Sequence, residues 1–194
     1  MWFDTTKVFL TAGVGTGGQA LNAFDKALRD ARIADFNLIR VTSIVPPGIP
    51  VYHLPSGLEP IKGQGLLIPT IYEAISSKRA GRQISAAVGI GITIPAAKGA
   101  GIIFTYSCFG SKKKAEDTVR EMVAEGMRAK GYLKHRCEIS AASAIVGKDW
   151  TCVMASAAFC DKHLERLFLS RVKPVVLPKS ISKKKRVANR KGLK

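Results

Sequence analysis

Apolar and polar positions in this chain fall in short blocks whose period switches between two and the three-to-four of a helix. Residues 7–12 (Lys-Val-Phe-Leu-Thr-Ala) predict a first strand, ended by the glycine-rich run 13–18. From residue 20 to 31, Leu21, Phe24 and Leu28 recur at helical spacing and predict a helix with these three as its apolar stripe. Asn37 opens a run, Leu38-Ile39-Arg40-Val41, that reads as a buried strand and stops at Thr42-Ser43. After two intervening residues Pro46-Pro47 fix φ, remove two backbone donors and push Val45 into an extended conformation. Thr42 and Ser43 therefore sit on stiff backbone.

A Pro/Gly-rich loop follows to about Gly65, with Tyr52, His53 and Glu59 reading as surface groups. Residues 66–72 look like a buried strand, 76–82 a basic turn, and 83–94 a strand whose Ala86, Ala87, Gly89 and Gly91 permit close packing. Residues 102–107 predict a further strand, with Ile103, Thr105 and Ser107 on one face. Ser111 suits the N-cap of a long helix that buries Ala115, Val119, Met122, Val123 and Met127 and ends at Gly131. After a polar segment with Arg136 and Glu138, residues 150–159 form a last apolar element, and Leu164, Leu167 and Phe168 extend a short helix. About six strands with two clear helices give an α/β or α+β protein whose sheet is covered by helices.

Length and charge narrow this further. A chain of 194 residues, 46% apolar, supports one compact domain, expected over residues 1–160. The formal charge of +17 is uneven: residues 161–194 hold 12 Lys/Arg against two acids, so the extension carries +10 and the remainder +7. This basic C-terminal extension, with Lys183-Lys184-Lys185-Arg186, is expected to be largely disordered. It reads as a solvated tail or as a contact for nucleic acid or another polyanion. The N-terminus lacks a basic region followed by an apolar run, and no window approaches 18 apolar residues, so a cytoplasmic protein with no membrane partner is expected. Four cysteines and three histidines show no metal-ligand spacing; inert thiols and no metal are expected. The run 13–18 mimics a nucleotide loop, but without Gly-x-Gly-x-x-Gly spacing it reads as a turn.

Asp25 lies four residues after Leu21 and three before Leu28, on their face, where an unpaired carboxylate is costly to bury. It is either a partly solvated helix-edge residue or one end of a pocket for a guanidinium. Asn37, at a strand start, reads as a turn former.

The stretch Asn37-Leu38-Ile39-Arg40-Val41-Thr42-Ser43-Ile44-Val45-Pro46-Pro47 resembles the self-processing site of the pyruvoyl-dependent arginine decarboxylases. Leu21-Asn22-Ala23-Phe24-Asp25, Pro69-Thr70 with Tyr72, Gly81 with Ile84-Ser85-Ala86-Ala87, and Ser111-Lys112-Lys113 running into Thr118-Val119-Arg120-Glu121-Met122 are similar to the family pattern, in order. The resemblance covers roughly residues 6–160. It implies a four-layer α/β/β/α sandwich, assembled as trimers with sites shared between protomers. It also implies a proenzyme that cuts itself between Thr42 and Ser43 into a β chain (1–42) and an α chain (43–194). Ser43 would become a covalent pyruvoyl group that forms a Schiff base with L-arginine and yields agmatine and CO2. By the same resemblance Asn37 assists self-cleavage, and Asp25, framed by Leu21 and Leu28, holds the guanidinium.

The chain departs from the family at Thr105, where the pattern has the Glu that protonates carbon after CO2 leaves. A threonine hydroxyl is a poor acid near neutral pH. Three explanations compete: a neighbour such as Tyr106, Cys108, Glu73 or a water supplies the proton; the substrate or reaction differs; or the protein cuts itself without efficient decarboxylation. In the last case its alternative role is polyanion binding through the tail.

Overall fold

Strand β1 (Lys7–Gly17) is apolar on both faces, so it must be covered twice. The computed structural model describes residues 3–96 and 99–169. In it Val8, Leu10 and Ala12 face a second sheet, while Phe9 faces helix α1 (Ala20–Asp30). The following elements are β2 (Asn37–Arg40), β3 (Ile44–Val45), β4 (Val51–His53), β5 (Leu67–Ser77), β6 (Gln83–Thr93) and β7 (Gly101–Phe109). After them come α2 (Lys112–Ala129), β8 (His135–Ile145), β9 (Trp150–Cys160) and α3 (Lys162–Leu169). One sheet has the order β2-β5-β9-β1-β4 and the other β3-β7-β6-β8.

Three apolar cores separate four layers. Between the sheets lie Leu10, Ile71, Ile84, Val88, Ile90, Ile103 and Val153. Outside the first sheet, Ala23, Ala27 and Ala31 with Leu164 and Phe168 cover Phe9, Ile68 and Met154. Outside the second, Ala115, Val119, Val123 and Met127 cover Ala87, Ile102 and Cys108. The protein is a mixed α+β fold, layered α/β/β/α.

The glycine run is not a turn. Gly13, Gly15 and Gly17 continue β1, and a Cβ at Gly15 would sit 2.2 Å from the Ala23 carbonyl oxygen and 2.3 Å from the Ala27 nitrogen. A bare backbone ridge thus lets α1 lie directly on the strand, which only an alanine face can do. The buried stripe of α1 is Ala23 and Ala27, continued by Ala31, instead of Leu21, Phe24 and Leu28. Leu21 is 77% exposed, and Phe24 and Leu28 are half-buried.

The polar segment after α2 is a full strand, β8, at the edge of the second sheet and half-buried almost throughout. Tyr52 is no surface group, since its ring stacks on Phe9 at 5.4 Å. Helix α3 carries the chain past residue 160 into the outer core, where Phe168 meets Phe9 and Phe36. The basic run 183–194 lies outside the described residues. Among the described residues no helix is long and apolar enough to cross a membrane.

Candidate active site

The chain changes sheets at Thr42-Ser43. Upstream, β2 pairs in parallel with β5 at the edge of the first sheet, from Asn37↔Leu67 to Arg40↔Thr70. Downstream, β3 pairs antiparallel with β7 at the edge of the second, Ile44 opposite Ile102. The Val41 N–H donates to the Thr70 carbonyl (3.3 Å), and the Ile103 N–H donates to the Ser43 carbonyl (2.8 Å). Each side of the Thr42–Ser43 bond is therefore anchored in a different sheet. Breaking the bond would release a chain end without taking a paired strand from either sheet.

A cavity of about 370 Å³ opens at this crossing, lined by Arg40, Thr42, Ser43, Glu73, Ile103 and Thr105 among others. Ile71 and Ile103 belong to the inter-sheet core. Alternation along β5 sends Glu73 the same way as Ile71 and Ile75, and alternation along β7 sends Thr105 and Ser107 the same way as Ile103. The two faces meet where the Ser107 hydroxyl donates to Glu73 Oε1 at 3.2 Å. Tyr106 belongs to the opposite face of β7, packed with buried Cys108 against the α2 layer. At the mouth, Arg40 donates to the Tyr72 carbonyl (2.9 Å), its guanidinium 4.4 Å from the centre of the Tyr72 ring.

Of the residues singled out in the sequence, Thr42, Ser43 and Thr105 thus line one cavity, joined by Glu73. Asn37 stands at the far end of β2, where its amide donates to the Gly65 carbonyl at 2.8 Å. Five extended residues put it roughly 16 Å from Thr42. Asp25, Leu21 and Leu28 lie on α1, outside the first sheet, and are not in the cavity wall; Asp25 and Leu21 are exposed. The α1 surface approaches the site through Phe24, whose ring is 6.1 Å from that of Tyr72.

Arg40 and Tyr72 belong to the segments that carry the family resemblance, but nothing along the chain shows that the two meet. Glu73 carried a signal of its own, as a carboxylate on the apolar face between Ile71 and Ile75. The thiols outside the cavity are weak nucleophiles: burial pushes Cys137, Cys152 and Cys160 above the ordinary thiol value, keeping them protonated at neutral pH. Among the described residues no group of three or more His, Cys, Asp or Glu is placed to hold a metal ion.

Comparison with known proteins places the same stretch in context. Residues 7–164 match the family model described as pyruvoyl-dependent arginine decarboxylase. A protein of that name from Methanococcus vannielii is 41% identical over 156 residues, covering 80% of this chain and 90% of the relative. One from Pyrococcus furiosus is 37% identical over 160 residues, 81% of this chain and 98% of the relative. One from Thermococcus kodakarensis is 37% identical over 135 residues, 68% and 80% of the two.

Proposed function

The chain belongs to the pyruvoyl-dependent arginine decarboxylase family, and from that premise we propose that it is a self-processing proenzyme converting L-arginine to agmatine and CO2. The observation that carries this reading is the Thr42–Ser43 bond itself, bridging two separately anchored strands at the wall of a cavity.

In the cut, the Ser43 hydroxyl attacks the Thr42 carbonyl carbon and the amide becomes an ester. Loss of the Ser43 α-proton then expels residues 1–42 as a carboxylate, and water replaces the nitrogen of the resulting dehydroalanine, releasing ammonia. Residue 43 ends as an N-terminal pyruvoyl on the longer chain. The residues present fit that group: Ser43 already lines the cavity, its carbonyl is held by the Ile103 N–H, and Ile71 and Ile103 make an apolar wall. When formed, the pyruvoyl group would supply a carbonyl able to condense with the substrate amine and to take up the electron pair that CO2 leaves behind.

Asp25 binds the guanidinium by a charge-assisted pair, with Leu21 and Leu28 as flanking walls. Because these residues stand outside the first sheet, the reading requires an assembly, a trimer, in which α1 of one protomer faces the Ser43 cavity of another. Asn37, by the family likeness, assists the cut by steadying the oxyanion formed on Thr42. The experiment is CO2 release from arginine, lysine and ornithine by the parent protein and by Ser43→Ala. The parent should prefer arginine; the variant should stay uncut and inactive. Clean cleavage in Ser43→Ala would remove Ser43 from the mechanism.

A further inference from the structure

Decarboxylation must end with a proton placed on the carbon that loses CO2, and position 105, which faces the cavity, holds only a hydroxyl. Three of the four groups able to supply a proton from nearby are side chains, and the fold separates them. Tyr106 and Cys108 point from β7 toward the α2 layer, on the wrong side of the second sheet. Glu73 alone of the three shares the wall of the Ser43 cavity. It arrives from the facing sheet, on the face of β5 that meets the Thr105 face of β7, and the Ser107 hydroxyl fixes one of its carboxyl oxygens at 3.2 Å. Among the described residues no hydrogen bond engages the other oxygen, Oε2. A carboxyl group has the acidity that a threonine hydroxyl lacks.

Resting on the decarboxylase reading, we propose that Glu73 is the catalytic acid of this chain, delivering across the gap between the sheets the proton that a residue at position 105 cannot. As the bond from the α carbon to the carboxylate breaks, CO2 departs and leaves its electron pair. The Glu73 O–H bond breaks while a C–H bond forms at that carbon, and solvent water reprotonates the carboxylate. Arginine and one proton thus give agmatine and CO2. Ser107 positions the acid and does not itself react.

The test compares the parent, Glu73→Gln, and Glu73→Gln combined with Thr105→Glu. Glu73→Gln should still be cut at Thr42–Ser43 and bind agmatine within about twofold of the parent, while kcat falls roughly 100- to 10,000-fold, the usual contribution of a general acid. A second readout is independent of rate. Starved of its acid, the electron pair takes its proton on the carbon derived from Ser43 instead; water then hydrolyses the C=N bond to the former substrate α carbon, which leaves as an aldehyde, while the substrate nitrogen stays behind as the amine of an alanyl N-terminus open to Edman sequencing in place of a blocked one. Thr105→Glu in the same chain should recover at least tenfold of the lost kcat and suppress that alanyl end, which a merely structural defect would not do. A cut, arginine-converting parent whose Glu73→Gln variant keeps its kcat overturns the Glu73 assignment alone. So does a variant whose agmatine affinity falls in step with kcat, because the carboxylate then binds instead of donating. A parent chain that stays intact overturns the decarboxylase reading, and the Glu73 proposal with it.

Discussion

Replacing Gly15 by alanine should loosen the helix that carries Asp25. The added Cβ would stand 2.2 Å from the Ala23 carbonyl oxygen and 2.3 Å from the Ala27 nitrogen, where ordinary contacts lie at 3.4–4 Å. Both obstacles are backbone of α1, so no rotamer change relieves them; the helix or the strand must give by about 1.2 Å. Overpacking by a methyl typically costs 1–3 kcal/mol, and a backbone obstacle places this case at the upper end, about 3 kcal/mol. A shift of α1 by about 1 Å should also raise the KM for arginine while leaving the cut at Thr42–Ser43 untouched, because β1 pairs with β4 and β9, whereas β2 and β3 pair with β5 and β7. Urea unfolding supplies the stability, with the slope m checked to be unchanged. Gly18→Ala is the control: nothing stands within 4 Å of its Cβ, and the change should stay within about 0.5 kcal/mol. A Gly15→Ala protein within 1 kcal/mol of the parent, on the order of experimental scatter in such comparisons, would refute the picture of a helix seated on bare backbone.

Asp25→Ala should leave self-cleavage intact and raise the arginine KM roughly 10- to 100-fold, the value of a hydrogen bond to a charged group; steady-state kinetics on the cut protein check it, and unchanged KM would defeat the guanidinium assignment. Glu165 tests a tether between α3 and β1: Lys7 Nζ and Thr6 Oγ1 each donate to its Oε2 at 2.6 Å. The Lys7 hydrogen bond first, then that of Thr6, holds the carboxyl below the ordinary carboxylate value. A lowered folded-state value means the stabilisation is complete above the unfolded carboxylate pKa and is lost as pH falls through the folded one. Glu165→Gln should therefore cost on the order of 0.2–1 kcal/mol at neutral pH and flatten the acid limb of stability, seen in thermal midpoints taken from neutral pH down to about pH 3; an unchanged acid limb would contradict it.

How far the site could be read along the chain depended on how local its signals were. Thr42-Ser43 stood out because the apolar run, the hydroxyl pair and Pro46-Pro47 are contiguous. The glycines of β1 misled for the same reason: a cluster of glycines is locally a turn, and only the alanine face of α1, placed across the sheet, shows why a strand needs them. Leu21 and Leu28 have helical spacing, yet the flat glycine ridge admits only Ala23, Ala27 and Ala31. Strand β8 escaped because an edge strand with Arg136, Glu138 and Ser140 among small residues has no strong apolar alternation. The division into two sheets, with the chain crossing at Ser43, is a matter of strand order that no single segment encodes. Glu73 lies 32 positions before Thr105, and their shared cavity exists only because the two sheets face each other.

The proposed activity requires one peptide bond to convert itself into a carbonyl group, and intact-mass spectrometry of the protein, purified folded and then denatured, examines that bond directly. Two polypeptides of 42 and 152 residues are expected from the 194-residue chain, the longer with a blocked N-terminus that reacts with a hydrazine. A single unbroken chain with no hydrazine-reactive carbonyl would contradict it.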